Sequence, residues 1–122
     1  MNIKSSSQLV AEALEEIKTI NTEEAFKIVE NNNCNLIDIR DVRELEKEGR
    51  VENSHHIPRG MLEFWLDPKS SYFRANKINY TKKMVLFCAL GLRSALATKS
   101  LVEMGFKNVC LLYTSPSPRD RG

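Results

Sequence analysis

Two short apolar runs, Leu36-Ile37-Asp38-Ile39 and Met84 to Phe87, each give way to a stretch of helical character, and this alternation constrains the fold most. A near-continuous apolar run suits a strand covered on both faces. Upstream, Val10, Ala13, Leu14 and Ile17 recur at helical spacing and predict an amphipathic helix over about Ser7 to Glu16, with a short extended piece from Ile17 to Ile20. Asn21 and Glu24 form a capping-box pattern that opens a second helix. Its buried face would hold Ala25, Phe26 and Val29, and Asn31-Asn32-Asn33 would end it. Asp41 to Glu48 reads as a charged helical turn stopped by Gly49. His55-His56-Ile57-Pro58 suits a short strand closed by its proline, Met61 to Leu66 a helix, and Asp67-Pro68 the start of a long loop. Ala97, Leu101 and Met104 stripe the last helix, Gly105 terminates it, and Val109 opens a final strand. Alternating strands and helices predict an α/β domain with a mainly parallel sheet, whose ligands bind beyond the carboxyl ends of the strands.

Composition narrows the function. A length of 122 residues gives one domain, and 42% hydrophobic residues are enough for a core. A net charge of +2 without a dense basic run makes no case for nucleic acid. No apolar stretch approaches the roughly 20 residues that span a bilayer, so no membrane role is expected. Met1 to Ser7 has no apolar segment after Lys4, which argues against a secretory signal. Cys34, Cys88 and Cys110 are odd in number and lack metal spacing such as C-x-x-C. The expectation is a cytoplasmic monomer in a reducing setting, with a free thiol and neither metal nor cofactor.

The stretch Phe87-Cys88-Ala89-Leu90-Gly91-Leu92-Arg93-Ser94 carries the chemistry. A strand delivers Cys88 to a loop that runs into a helix. Loop amides and a helix N-terminus carry positive potential, which favours a thiolate, the nucleophilic form. The alternative is a buried apolar cysteine, but Gly91, Arg93 and the following helix favour a nucleophile in a backbone anion cradle. Arg93 would organise the loop and attract an anionic donor. Gly91 would supply a backbone angle other residues resist. Ser94 would act as an N-cap or contact substrate. Cysteine-dependent phosphatases use C-x5-R, whereas four residues, Ala89 to Leu92, separate Cys88 from Arg93. The tighter ring suits one sulfur atom better than a phosphoryl group, which leaves phosphatase or arsenate reductase activity as a weaker reading.

In Leu36 to Glu44, in His55 to Trp65 and in Cys88 to Ser94 the chain resembles the single-domain rhodanese-like sulfurtransferases, over about Asn21 to Val109. The resemblance implies a three-layer fold with a parallel sheet flanked by helices, and Cys88 as the sulfur-accepting nucleophile. Members carry sulfane sulfur from a donor such as thiosulfate or polysulfide, as a cysteine persulfide, to a thiol, cyanide or an acceptor protein. The Ala89 to Ser94 amides would hold the persulfide. A non-catalytic rhodanese-fold binding module is the rival, but inactive members commonly lack the loop cysteine that this chain keeps. The family's Gly-Gly turn and Ala-Trp helix are missing here, so the chain is expected to be C-terminally truncated.

Around that loop, Asp38, Arg40 and Glu44 are expected to brace the sheet edge by charge pairing. Arg59 would line the pocket and draw in anions. One of His55 and His56 would hydrogen-bond and the other lie exposed; Phe64, Trp65 and Phe73 would be core or lid; Cys34 would be a bystander. The segment Cys110 to Asp120 resembles one translated frame of a common transposon-based sequencing adapter. The expected division is therefore 1–20 as a helical extension, 21–109 as the rhodanese-like domain, and 110–122 as a disordered, non-native tail.

Overall fold

The computed structural model describes residues 2–31, 33–75, 78–88 and 91–112. Five strands form one parallel sheet in the order β1-β5-β4-β2-β3. In chain order the elements are α1 (Ser6–Glu16), β1 (Lys18–Ile20), α2 (Thr22–Glu30), β2 (Cys34–Asp38), α3 (Val42–Glu48) and β3 (His55–His56). A 3-10 turn (Arg59–Met61), α4 (Leu62–Leu66), β4 (Lys83–Phe87), α5 (Leu92–Met104) and β5 (Val109–Leu112) follow.

Successive side chains of the inner strands alternate between two buried faces, which is why these strands read as unbroken apolar runs. On one face Ile37, Met84, Leu86 and Val109 meet Leu62 and Leu66 of α4 and Ala97 and Leu101 of α5. On the other, Leu36, Val85, Phe87 and Cys110 meet Ala25 of α2. Leu101 is fully buried, so its truncation to alanine costs about 2–5 kcal/mol. The α2 capping box forms in both directions between Asn21 and Glu24, and Gly105 ends α5 at φ 107°. No helix among the described residues is long and apolar enough to cross a membrane.

Within residues 1–20, Ala13 of α1 packs on Ala95 and Leu111, and β1 pairs with β5. Two expectations are corrected. Cys110 to Leu112 are not disordered, because their apolar side chains fill the slot between β1 and β4, with Cys110 and Leu111 buried. The remainder of the expected tail, 113–122, lies outside the described residues. Phe26 is 64% exposed, since α2 turns Ala25, Ile28 and Val29 toward the sheet and leaves Phe26 off that face.

The order of strands fixes where a ligand can sit. After β2 the chain moves outward to β3, and after β4 it moves the other way to β5. The crevice at such a reversal, beyond the carboxyl ends of β2 and β4, is the natural binding position.

Candidate active site

Cys88 stands at that reversal, one residue beyond β4. The ladder continues to its neighbour, where the Ile39 N–H donates to the Phe87 carbonyl at 3.2 Å. Gly91 adopts φ 82° and ψ −7°, a left-handed conformation that strains L side chains by about 1–2 kcal/mol. It turns the chain into α5, and as the cap residue it offers no side chain to the helix's free amides.

The thiol takes up that role. The Ser94 N–H, third in the helix, donates to Cys88 Sγ at 3.3 Å, and Ser94 Oγ lies 3.3 Å from the same sulfur. An N-cap oxygen ordinarily accepts from the second or third helical amide; here a sulfur does. Any negative charge on it sits at the positive end of the helix dipole. Ser94 is therefore not the N-cap. It is fully buried, and its carbonyl accepts from Thr98 Oγ1 at 2.7 Å. Cys88 is only 4% exposed and shares a core cluster with Ile39 and Leu86, yet its sulfur keeps these two polar contacts. Ala89 and Leu90, the other expected cradle residues, lie outside the described residues.

Arg93 does not project freely. Its Nη1 and Nη2 donate to Glu44 Oε1 and Oε2 at 2.7 and 3.0 Å, a two-pronged, charge-assisted contact. Glu44 Oε1 also accepts the Asp41 N–H at 3.1 Å, closing a capping box on α3. The Arg93 guanidinium, helped by that backbone donor, lowers the Glu44 carboxyl to about 2. In return Glu44 raises the Arg93 pKa, with Cys88 acting in the same sense. The pair ties the first turns of α3 and α5 together across the crevice.

Asp38 and Arg40 pair with each other beneath it. Asp38 is fully buried, and Arg40 Nη2 and Nε donate to it at 2.8–3.2 Å. Arg40 Nη2 also donates to the Gly49 carbonyl, while its own carbonyl lies 2.7 Å from His56 Nε2. Removing one partner of such a buried pair costs about 3–5 kcal/mol. His55 is half-buried rather than exposed, as is His56 beside it on β3.

Arg59 is paired locally. Its Nη1 donates to both Glu63 oxygens at 2.9 and 3.0 Å, and Ser100 Oγ holds Glu63 at 2.6 Å. The 3-10 turn is thereby clamped to α5, and the guanidinium is engaged. Phe64 is half exposed, edge-on to Tyr72, while Arg74 stacks on Trp65 at 3.9 Å. Phe73 is half-buried. Cys34 opposes Lys83, five residues short of Cys88, or about 16 Å along the strand. That exceeds the roughly 7 Å Cα limit for a disulfide.

The sequence offered no sign of the Glu44–Arg93 pair, whose members are 49 positions apart. The Asp41–Glu44 spacing, by contrast, was a readable capping signal.

The profile of the rhodanese-like domain matches residues 21–115. A rhodanese-like domain-containing protein of Arabidopsis thaliana is 34% identical over 101 residues, 75% of this chain and 60% of that protein. The chain spans about half the length of other curated relatives it matches. Among solved structures, a Rhodopseudomonas palustris protein of unknown function, described as a possible tyrosine phosphatase, has a TM-score of 0.86 and 37% identity, covering 100% of this chain and 94% of that one. The homodimeric polysulfide-sulfur transferase of Wolinella succinogenes has a TM-score of 0.66 and 33% identity, covering 88% of this chain and 75% of that one.

Proposed function

This chain belongs to the rhodanese-like domain family, and from that premise we propose that it is a sulfurtransferase carrying sulfane sulfur as a persulfide on Cys88. The observation behind the reading is the Ser94 N–H at the start of α5 donating to Cys88 Sγ. The Cys88 thiolate attacks the outer sulfur of the donor, the donor's sulfur–sulfur bond breaks, and the leaving group departs with the bonding pair. With thiosulfate the leaving group is sulfite. The terminal sulfur of the persulfide then lies toward the N-terminus of α5, where the Ser94 N–H and the helix dipole stabilise its charge without a separate base. Cyanide or an acceptor thiolate attacks that sulfur and returns the Cys88 thiolate.

The donor is a small molecule, and the acceptor a thiol, cyanide or a sulfur-acceptor protein; one copy of the chain is enough for the chemistry. The name of the Wolinella succinogenes relative, which moves polysulfide sulfur, supports sulfane sulfur as the cargo. Three free thiols fit a reducing compartment such as the cytoplasm.

The test is thiocyanate formation from cyanide with thiosulfate or polysulfide as donor. Cys88→Ser is expected to lose it entirely, and retention of the rate by that variant would defeat the reading. The phosphatase reading has the description of the Rhodopseudomonas palustris neighbour behind it. Release of p-nitrophenol from its phosphate ester, dependent on Cys88 and without thiocyanate formation, would put that reading in place of sulfur transfer.

A further inference from the structure

The charges at the carboxyl edge of the sheet bear on which donor the site takes. Four arginines stand there: Arg40 after β2, Arg43 opening α3, Arg59 after β3 and Arg93 opening α5. Each is held by a carboxylate: Arg40 by Asp38 and Glu48, Arg43 by Asp41, Arg59 by Glu63, and Arg93 by Glu44. Asp41 also lies close enough to Arg93 to feel its charge. The loop from Cys88 to Ser94 has no other charged residue. An arriving anion therefore meets four arginines whose charges are already balanced, while Lys47, three residues along α3 from Glu44, has no ion pair among the described residues. The first residues of α3 and α5 are apolar and open to solvent, Val42 at 54% and Leu92 at 53%. They belong to the two helical turns that the Glu44–Arg93 pair joins.

Resting on the persulfide reading, we propose that Glu44 is a specificity-determining residue: by cancelling the Arg93 charge, it turns the site from dianionic thiosulfate toward organic hydropersulfides, R–S–S–H. Such donors carry at most one negative charge, and their apolar R group suits the exposed Val42 and Leu92. The transfer balances without an oxidant. The Cys88 thiolate attacks the outer sulfur, the donor's S–S bond breaks, and R–S⁻ leaves with the bonding pair, while any hydrogen on the outer sulfur stays with that sulfur.

Glu44→Gln separates charge from architecture. Glutamine still closes a capping box and still offers an oxygen to Arg93, but leaves the guanidinium uncompensated. Thiosulfate and benzyl hydropersulfide serve as donors, with persulfide formation on Cys88 followed by stopped flow. Because the Coulomb term scales with donor charge, the thiosulfate gain should be about the square of the gain for a monoanion. The expected changes are about tenfold in kcat/KM for thiosulfate, mainly through KM, against about threefold for benzyl hydropersulfide. The thiosulfate gain should shrink in about 0.5 M salt, where charges are screened beyond a few ångströms. Equal changes with both donors, or a loss with both, would overturn the proposal. The wild-type chain gives a second reading that needs no variant: its thiosulfate rate should change less than about twofold between roughly 0.02 and 0.5 M salt. A steep fall there would overturn the proposal too. If neither donor loads Cys88 in either protein, the persulfide reading itself fails, a result separate from loaded proteins that ignore Glu44.

Discussion

Cys88 and Cys110 are almost equally hidden, at 4% and 1% exposure, but they belong to opposite halves of the sheet and have different neighbours. Cys110 lies inside β5 among Val85, Leu36 and Ala25, and burial pushes its thiol pKa up. Cys34, at the start of β2, is also raised by burial. Cys88 ends its strand instead of starting it, and so meets a helix N-terminus and two polar atoms of Ser94. The two ends differ in charge as well. Arginines at the carboxyl end are fixed by carboxylates, whereas Lys18, Lys83 and Lys107, lining a cleft of about 450 Å³ at the amino end, form no ion pair among the described residues. Burial alone thus does not mark a reactive thiol. The direction of the strand that delivers it decides which backbone groups it meets.

Substitution of the two thiols should show the largest contrast. Cys88→Ser is expected to lower sulfur transfer at least about a thousandfold in the thiocyanate assay, while Cys110→Ala stays within about twofold. Comparable losses in both would erase the distinction. Charge removal at the two ends should differ next. Arg40→Ala leaves Asp38 buried without its partner and should lower unfolding stability by about 3 kcal/mol in urea melts, while Lys83→Ala stays within about 0.5 kcal/mol.

Gly91→Ala sharpens the local account of the reactive end. Its positive φ predicts a loss of about 1–2 kcal/mol in stability together with slower transfer, measured by melts and thiocyanate formation. The smallest effect concerns acid. Glu44 has a folded pKa near 2, below its ordinary 4.5, so its contribution to stability is present above about 4.5 and lost as the pH falls toward 2. Urea midpoints of Glu44→Gln should therefore converge on those of the wild type as pH drops through that window. A constant gap would deny the Glu44–Arg93 pair its role.

The sequence displayed most of what lies in local pattern. The apolar runs at 36–39 and 84–87 became central strands because both faces of a parallel sheet need covering. Asn21 with Glu24 and Gly105 marked helix ends through bonds made within a few residues. Pairings between distant segments were not visible. Arg93 gave no sign of its partner, because Glu44 reaches it only once α3 and α5 are set on the sheet, whereas Glu63 stands four residues after Arg59, a spacing readable in sequence. Ser94 looked like a cap because the sulfur that accepts its amide is six residues earlier. The last strand shows a different limit: a slot between β1 and β4 asks only for apolar residues in extended form, and Val109-Cys110-Leu111-Leu112 meet that demand.

Peptide mapping of the native chain after brief exposure to a sulfane donor tests most directly whether position makes Cys88 the reactive thiol. The account predicts one added sulfur on the peptide carrying Cys88, with Cys34 and Cys110 unmodified. Sulfur found first on Cys34 or Cys110, or equally on all three, would contradict it.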